Sequence, residues 1–494
     1  LDKFINLFTP NYKSLRNWTV FGIFSLIAFF VRFPFFFRDY IDRDESTFIL
    51  VGQSWVDGYL PYTELWDVKP PLTFLFFAGI IYLFGKSFLA IRLIGALLVS
   101  LTAFFTYKVG ENMDSKKVGF WSGIGCVLLL SMFGSLQGVM SEHISMAFFM
   151  PAIYLILKYK KPYWILASGF LMGISLMVKL NMAYAILFCG LFIAYSYIKR
   201  KGFWKGAINT AAYGIGIILI VLLTILPYYL QGITQLWWDS VIKAPLEYAG
   251  ARRYSLFKLA PTFLVLGAFF FIAWKKKQLN FKQSGTLLIF MAILGVLFSF
   301  FKGGRINSHY LIQLHPLFIV LFAIVIRQIV IFKRFNYKPF VFFLLLLLPM
   351  EAYIEYVAVI KNKIEKGRFA NGEGIDVPIY IQENNLETKN ILFTEYHIGY
   401  WVLDTKPPTK AATHPGNILK DEMFPFYNNS RTTAMEELRY ILEDIQPKTI
   451  VTRKNRLIFD KNAVEANEFI DAYLRDHYRN IRTLDKAEIY QRLE

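Results

Sequence analysis

Asp44-Glu45 is the pair in this chain best suited to chemistry, because a carboxylate beside an apolar span can take a proton from a hydroxyl. It lies in Asp42-Arg43-Asp44-Glu45, just after the apolar stretch 18–37, and Asp67-Val68-Lys69-Pro70-Pro71-Leu72 follows. Ionisable groups beside a bilayer are expensive to keep there and by default mark a functional site. The alternative is a solvated loop whose acids pair with Arg38 or Arg43. Pro70 and Pro71 stop a helix from extending back through Lys69, which aims its ammonium at the headgroup level, where a phosphate would sit. An ordinary snorkelling lysine at a helix start is the other reading.

Further along, Ser141-Glu142-His143 offers an acid that could orient a sugar hydroxyl, or merely cap a helix. Lys179, Arg92 and Arg305 add cations, and Lys302-Gly303-Gly304-Arg305 precedes Asn307-Ser308-His309-Tyr310. Such cations need an anionic partner, which a lipid phosphate would supply, although each alone also fits interfacial snorkelling. Asp44, Glu45, Glu142 and His143 are residue types that could together hold a divalent cation. No ligand spacing diagnostic of one is present, so no cofactor and no metal ligand is assigned.

The elements that position these residues are membrane spans. The chain has 494 residues, 55% hydrophobic and 18% aromatic, with mean hydropathy +0.40, and its repeated apolar runs are those of a polytopic membrane protein. The net charge of +18 does not imply a nucleic-acid partner, because most basic residues before 340 sit in short tracts between apolar runs, such as Lys275-Lys276-Lys277. Cys126 and Cys189 lie inside apolar runs and build no disulfide framework or zinc site. The spans read as 18–37, 72–84, 88–108, 118–136, 143–158, 163–178, 182–198, 207–230, 257–274, 284–301, 311–331 and 338–358. The first is too long for a cleaved signal and reads as retained. All basic tracts share one face only if 72–84, the shortest run and one preceded by Pro-Pro, does not cross. About eleven crossings and one interfacial or re-entrant helix are expected, with a cytoplasmic N-terminus and every unusual polar motif on the outer face.

After about residue 360 the long apolar runs stop. Short β-type runs (390–394, 448–452) alternate with helix-like stretches (433–444, 463–475). This predicts a soluble α/β domain over 360–494, outside the cytoplasm, behind a transmembrane catalytic domain over 1–359.

The chain resembles the GT-C glycosyltransferases, in the bacterial branch related to protein O-mannosyltransferases and the lipid A aminoarabinose transferase. Asp44-Glu45, Lys69-Pro70-Pro71-Leu72, Phe84-Gly85 and Ala90-Ile91-Arg92-Leu93 carry the resemblance as an ordered set between Phe21 and Tyr184. His309-Tyr310 with Gln313 and Pro316 is a looser match, and Glu142 takes the second acidic position without the usual Arg-x-x-x-Asp context. The resemblance implies an inverting transfer of a sugar from a polyprenyl-phosphate donor to a hydroxyl acceptor (protein, lipid or glycan) at the outer face of the cytoplasmic (inner) membrane. Under it Asp44 or Glu45 is the base, and Lys69, Lys179, Arg92 and Arg305 face the donor phosphate. Asp67, Glu142, His143, His309 and Tyr310 face sugar or acceptor.

Two other classes stay open. A polymerase or ligase using a lipid-linked oligosaccharide would suit Arg252-Arg253 in a large external loop. A lipid-linked sugar transporter would instead favour mid-membrane charges and inverted repeats, and no repeat is apparent.

Overall fold

The structure is a computed structural model and describes residues 11–251, 257, 260–303, 307–329, 345–427 and 430–493. Arg252-Arg253 and Arg305 lie outside the described residues. Two compact units emerge, the first from Leu1–Phe35, Arg92–Thr224 and Arg252–Tyr356, the second from Phe36–Ile91, Ile225–Ala251 and Val357–Glu494.

The first unit is a set of apolar helices. Ser141–Lys158 packs on Pro162–Val178, Ala183–Lys201 on Ser284–Gly303, and Lys116–Leu129 on both Asn17–Arg32 and His315–Gln328. Small residues let backbones meet: a Cβ on Gly295 would stand 2.5 Å from Ala185 Cα. By length and composition, the helical stretches Asn17–Phe37, Phe88–Met113, Leu180–Lys201, Phe203–Leu230 and Ser284–Gly303 are long and apolar enough to cross a membrane. Pro71–Phe84, Pro162–Val178, Ala260–Lys275 and His315–Gln328 are apolar but shorter. The expected span 338–358 falls partly outside the described residues, of which the helix Met350–Lys366 is seen.

One expected span is interrupted. The run 118–136 is α-helical only over Lys116–Leu129, then bends through Phe133 (φ 68°) and Gly134 (φ 52°) into a short 3-10 turn, Gly134–Gln137. Buried carbonyls released from a helix need donors, and one side chain serves four of them. The Arg32 guanidinium donates to the carbonyls of Leu130 (3.1 Å), Leu136 (2.7 Å), Gln137 (3.2 Å) and Gly138 (2.6 Å). Apolar periodicity could not reveal a loop that an arginine one hundred residues away stabilises.

In the second unit, the helix Arg43–Val56 begins where the Asp42 carboxylate accepts from the Asp44 amide at 2.8 Å, with Asp44 and Glu45 in its first turn. It packs on Pro71–Phe84, where Gly52 meets Phe77: a Cβ on residue 52 would stand 2.8 Å from Phe77 Cβ. Pro71–Phe84 starts on Pro70 and ends at Gly85 (φ 67°). Its 14 residues reach roughly 21 Å, less than the roughly 30 Å of a hydrocarbon core.

The tail folds around a sheet of β1 (Leu392–Phe393), β2 (Thr449–Arg453), β3 (Tyr478–Leu484) and β4 (Ala487–Arg492), in the order β1-β2-β4-β3. β1 and β2 are parallel and the other pairs antiparallel. The runs at 390–394 and 448–452 become β1 and β2. The stretches at 433–444 and 463–475 become the helix Ala434–Arg439, continued by a π-helical turn Tyr440–Ile445, and the helix Val464–His477. The β3–β4 hairpin was not expected, because Arg479, Asn480 and Arg482 are exposed and blur its alternation.

Candidate active site

In the second unit, the segment that follows the first apolar helix is bound to the tail through both backbone and side chains. Asp39 N donates to the Asn371 carbonyl at 3.2 Å, and Lys86 reaches the Trp401 carbonyl at 2.9 Å. Trp401 Nε1 donates to Gln53 at 3.0 Å. The Arg43 guanidinium grips the Glu395 carboxylate, which also accepts from Tyr40 at 2.9 Å. Burial pushes the Glu395 carboxyl up, but the bonds from Arg43 and Tyr40 outweigh it and hold the group below its usual range.

Asp44 stands at the centre of this arrangement. Lys69 Nζ lies 3.0 Å from its Oδ2 and 4.0 Å from Asp67 Oδ2. The lysine is held by more than charge. Its ammonium sits over the Phe48 ring at 5.2 Å, and its carbonyl accepts from the Tyr62 hydroxyl at 2.6 Å. Tyr62 is fully buried with φ 73°, a strained conformation for a residue with a Cβ, and its ring stacks on Tyr228. Pro70 and Pro71 act as expected: the helix begins at Pro71 and does not extend back through Lys69. Asp44 is a quarter exposed, whereas Glu45 is buried, so Asp44 is the accessible member of the pair. Asp67 is buried, and its Oδ2 has no hydrogen-bond donor among the described residues.

Two residues unforeseen in the sequence complete the group. His414 Nε2 lies 3.6 Å from Asp44 Oδ1, and the His414 ring is 5.8 Å from that of His397. His397 Nε2 is 2.9 Å from Thr47 Oγ1 on the helix Arg43–Val56. Burial first, then His414 and Arg43, keeps the His397 ring well below its usual range and hence uncharged. Glu395 and His397 flank Tyr396, whose φ of 56° turns the chain beyond the end of β1. The available signal was two of the chain's six histidines in irregular tail segments; nothing there named Asp44 as their neighbour.

A second polar group lies within the first unit. Glu142, in the first turn of Ser141–Lys158, is 2.6 Å from Lys179, the residue that ends Pro162–Val178. Both are buried, with a cation at a helix C-terminus and an acid at a helix N-terminus. His309 Nε2 is 3.9 Å from Glu142, and Tyr310 places its ring 4.9 Å from Lys179 Nζ. Asn181 and Gln313 exchange amide hydrogen bonds at 3.1 and 2.8 Å. His143 does not join as a ligand: its Nδ1 accepts from Met140 N and its Nε2 donates to the Leu130 carbonyl. Arg92 is buried and donates to the Phe35 carbonyl at 2.9 Å. Among the described residues, no three His, Cys, Asp or Glu side chains gather as metal ligands.

Comparison with known proteins follows the same lines. A family model described as dolichyl-phosphate-mannose-protein mannosyltransferase matches residues 68–228. No curated protein matches the chain in sequence. Its fold is similar to ArnT from Cupriavidus metallidurans bound to undecaprenyl phosphate, with TM-score 0.61 and 13% identity over 95% of this chain and 97% of that one. It is also similar to the Archaeoglobus fulgidus oligosaccharyltransferase in the apo form, with TM-score 0.52 and 11% identity over 90% of this chain and 70% of that one. The resemblance to GT-C glycosyltransferases read from the motifs is therefore borne out in the fold.

Proposed function

We propose that this chain, with the fold of GT-C glycosyltransferases, moves a sugar from a polyprenyl-phosphate donor to an acceptor hydroxyl at the outer membrane face. The observation that carries this reading is the Asp44–Lys69 pair, a partly exposed carboxylate 3.0 Å from a cation that proline and a strained tyrosine hold in place. The acceptor oxygen attacks the anomeric carbon while the bond from that carbon to the phosphate oxygen breaks. Asp44 takes the acceptor proton, and polyprenyl phosphate leaves as an anion that needs no general acid. Base and leaving group on opposite faces of the ring give inversion.

Lys69 has three donor hydrogens, with Asp44 and Asp67 both nearby. A donor phosphate that takes up one of these hydrogens draws the ammonium away from Asp44, which raises the carboxylate's readiness to accept a proton. The same contact stabilises the charge that develops on the leaving phosphate. Asp67 Oδ2 is an acceptor for a sugar hydroxyl. Glu142, Lys179, His309 and Tyr310 form a second, more deeply buried polar group suited to hydroxyls. Lys69 and Lys179 each have a carboxylate within 3.0 Å; Lys69, the more exposed of the two and the one beside Asp44, is taken as the phosphate contact in this reading. The parallel with ArnT, crystallised with undecaprenyl phosphate, favours a polyprenyl carrier.

The test is to incubate the purified protein with a panel of polyprenyl-phosphate sugars and acceptors and follow carrier phosphate release. Release that requires Asp44 supports the reading; a wild-type protein that consumes no monosaccharide donor but does consume a lipid-linked oligosaccharide would replace it with a ligase.

A further inference from the structure

We infer that His414, contributed by the tail, is a positioning residue for Asp44: its Nε2–H holds the Oδ1 side of the carboxylate ionised and aimed while Lys69 holds Oδ2. This rests on the reading of Asp44 as the base. The tautomer follows from the backbone. His414 Nδ1 accepts from Gly416 N at 3.0 Å, so Nδ1 carries no proton and the neutral ring has its hydrogen on Nε2, the atom 3.6 Å from Asp44. Gly416 packs close to the ring, since a Cβ there would stand 3.0 Å from His414 Cε1. The Asn417 amide also donates to the His414 carbonyl, at 2.7 Å.

His397 lies beside this ring, 5.8 Å away centroid to centroid. Thr47 Oγ1 donates to the Arg43 carbonyl at 3.0 Å, so it is His397 Nε2 that donates to Thr47, which fixes that ring beside His414. Among the described residues, the charged and titratable groups around Asp44 include Lys69, Asp67, Asp42, Glu45, His414, His397 and Arg43, the last engaged by Glu395. At 3.6 Å the His414 contact is longer than a hydrogen bond, and contacts between catalytic groups commonly shorten once substrate is bound. His414 touches no reacting atom in this scheme; it acts through Asp44.

Two variants test it, one removing the donor (H414A) and one replacing it with an amide that donates but does not titrate (H414Q). A hydrophobic carbodiimide modifies protonated carboxyls, so labelling of Asp44, read by mass spectrometry across pH, reports its protonation without any substrate. H414A should move the pH of half-labelling up by about half to one unit, and H414Q should return it. With whichever panel donor the wild type consumes, H414A should lower kcat about tenfold at unchanged donor KM and shift the acid limb of the pH–rate profile in the same direction. An unmoved labelling profile in H414A overturns the proposal, even if transfer is lost. So does a melting temperature that falls equally in both variants with the profile unmoved. If the labelling shifts as expected but the wild type consumes no donor, the positioning of Asp44 by His414 stands and the transferase reading falls instead.

Discussion

At the scale of single residues, the proposed reaction assigns the chemistry to Asp44 and makes Lys69, 3.0 Å away, the group that sets its state. Asp44→Asn keeps the shape and loses the base, so transfer should fall by about 10²–10⁴-fold while donor binding and folding persist. Single-turnover rates and donor affinity for the variant check this; near-normal turnover would move the role elsewhere. Lys69→Ala removes both the phosphate contact and the partner of Asp44. Donor affinity should drop by about 10–150-fold, since a hydrogen bond to a charged group contributes roughly 1.5–3 kcal/mol. The Glu142–Lys179 pair obeys a different rule. It is almost wholly buried, and removing one partner of such a pair leaves an uncompensated charge, at roughly 3–5 kcal/mol. Lys179→Met alone should therefore lower the melting temperature sharply, and adding Glu142→Leu should restore most of it. Donor affinity measured in that double variant decides whether Lys179 also meets the phosphate: a protein of restored stability that no longer binds donor would say that it does.

Among the elements, the join between the first loop and the tail is the one most exposed to a single change. Asp39 is buried where the helix Glu373–Glu383 begins, against two glycines. A Cβ on Gly372 would stand 1.7 Å from Asp39 Oδ1 and one on Gly374 2.5 Å from Oδ2, and Gly372 has φ 119°. Burial pushes the Asp39 carboxyl up from 3.8 to about 7, against the amides that favour its charged form. A raised acid favours the folded state when protonated. Its contribution is fully present below about 3.8, declines as pH rises, and is gone above about 7. Asp39→Asn should accordingly stabilise the protein at pH 8, by about 1–4 kcal/mol, and do little at pH 4. Thermal unfolding at the two pH values checks the sign; a variant less stable at pH 8 would mean that the charged carboxylate is the favoured form.

For the whole molecule, the reading requires that the tail and the acidic loop share the outer side of the membrane. Cys126 and Cys189 are buried, so a single introduced cysteine reports its own position. Glu468→Cys, at an exposed tail position, should react with a membrane-impermeant thiol reagent in cells whose outer barrier, if present, is opened. Lys201→Cys, exposed in a basic tract, should react only after lysis. The reverse pattern would place the basic tracts outside and remove the expected orientation.

The sequence determined the chemistry on offer and the material around it. Asp44, Lys69 and the two prolines were legible because charge beside long apolar runs is costly and proline acts locally, whatever the rest of the chain does. Apolar periodicity likewise gave most of the helices, and β1 and β2 with their following helices. Contacts between distant segments were beyond it. That Lys179 is neutralised by Glu142, that His143 spends both nitrogens on backbone, and that Arg32 holds a broken span open are facts of three-dimensional pairing. The same holds for His414. Its place beside Asp44 comes from a loop and a tail that fold into one compact unit across more than three hundred residues of chain, and no local pattern encodes a distance of that kind.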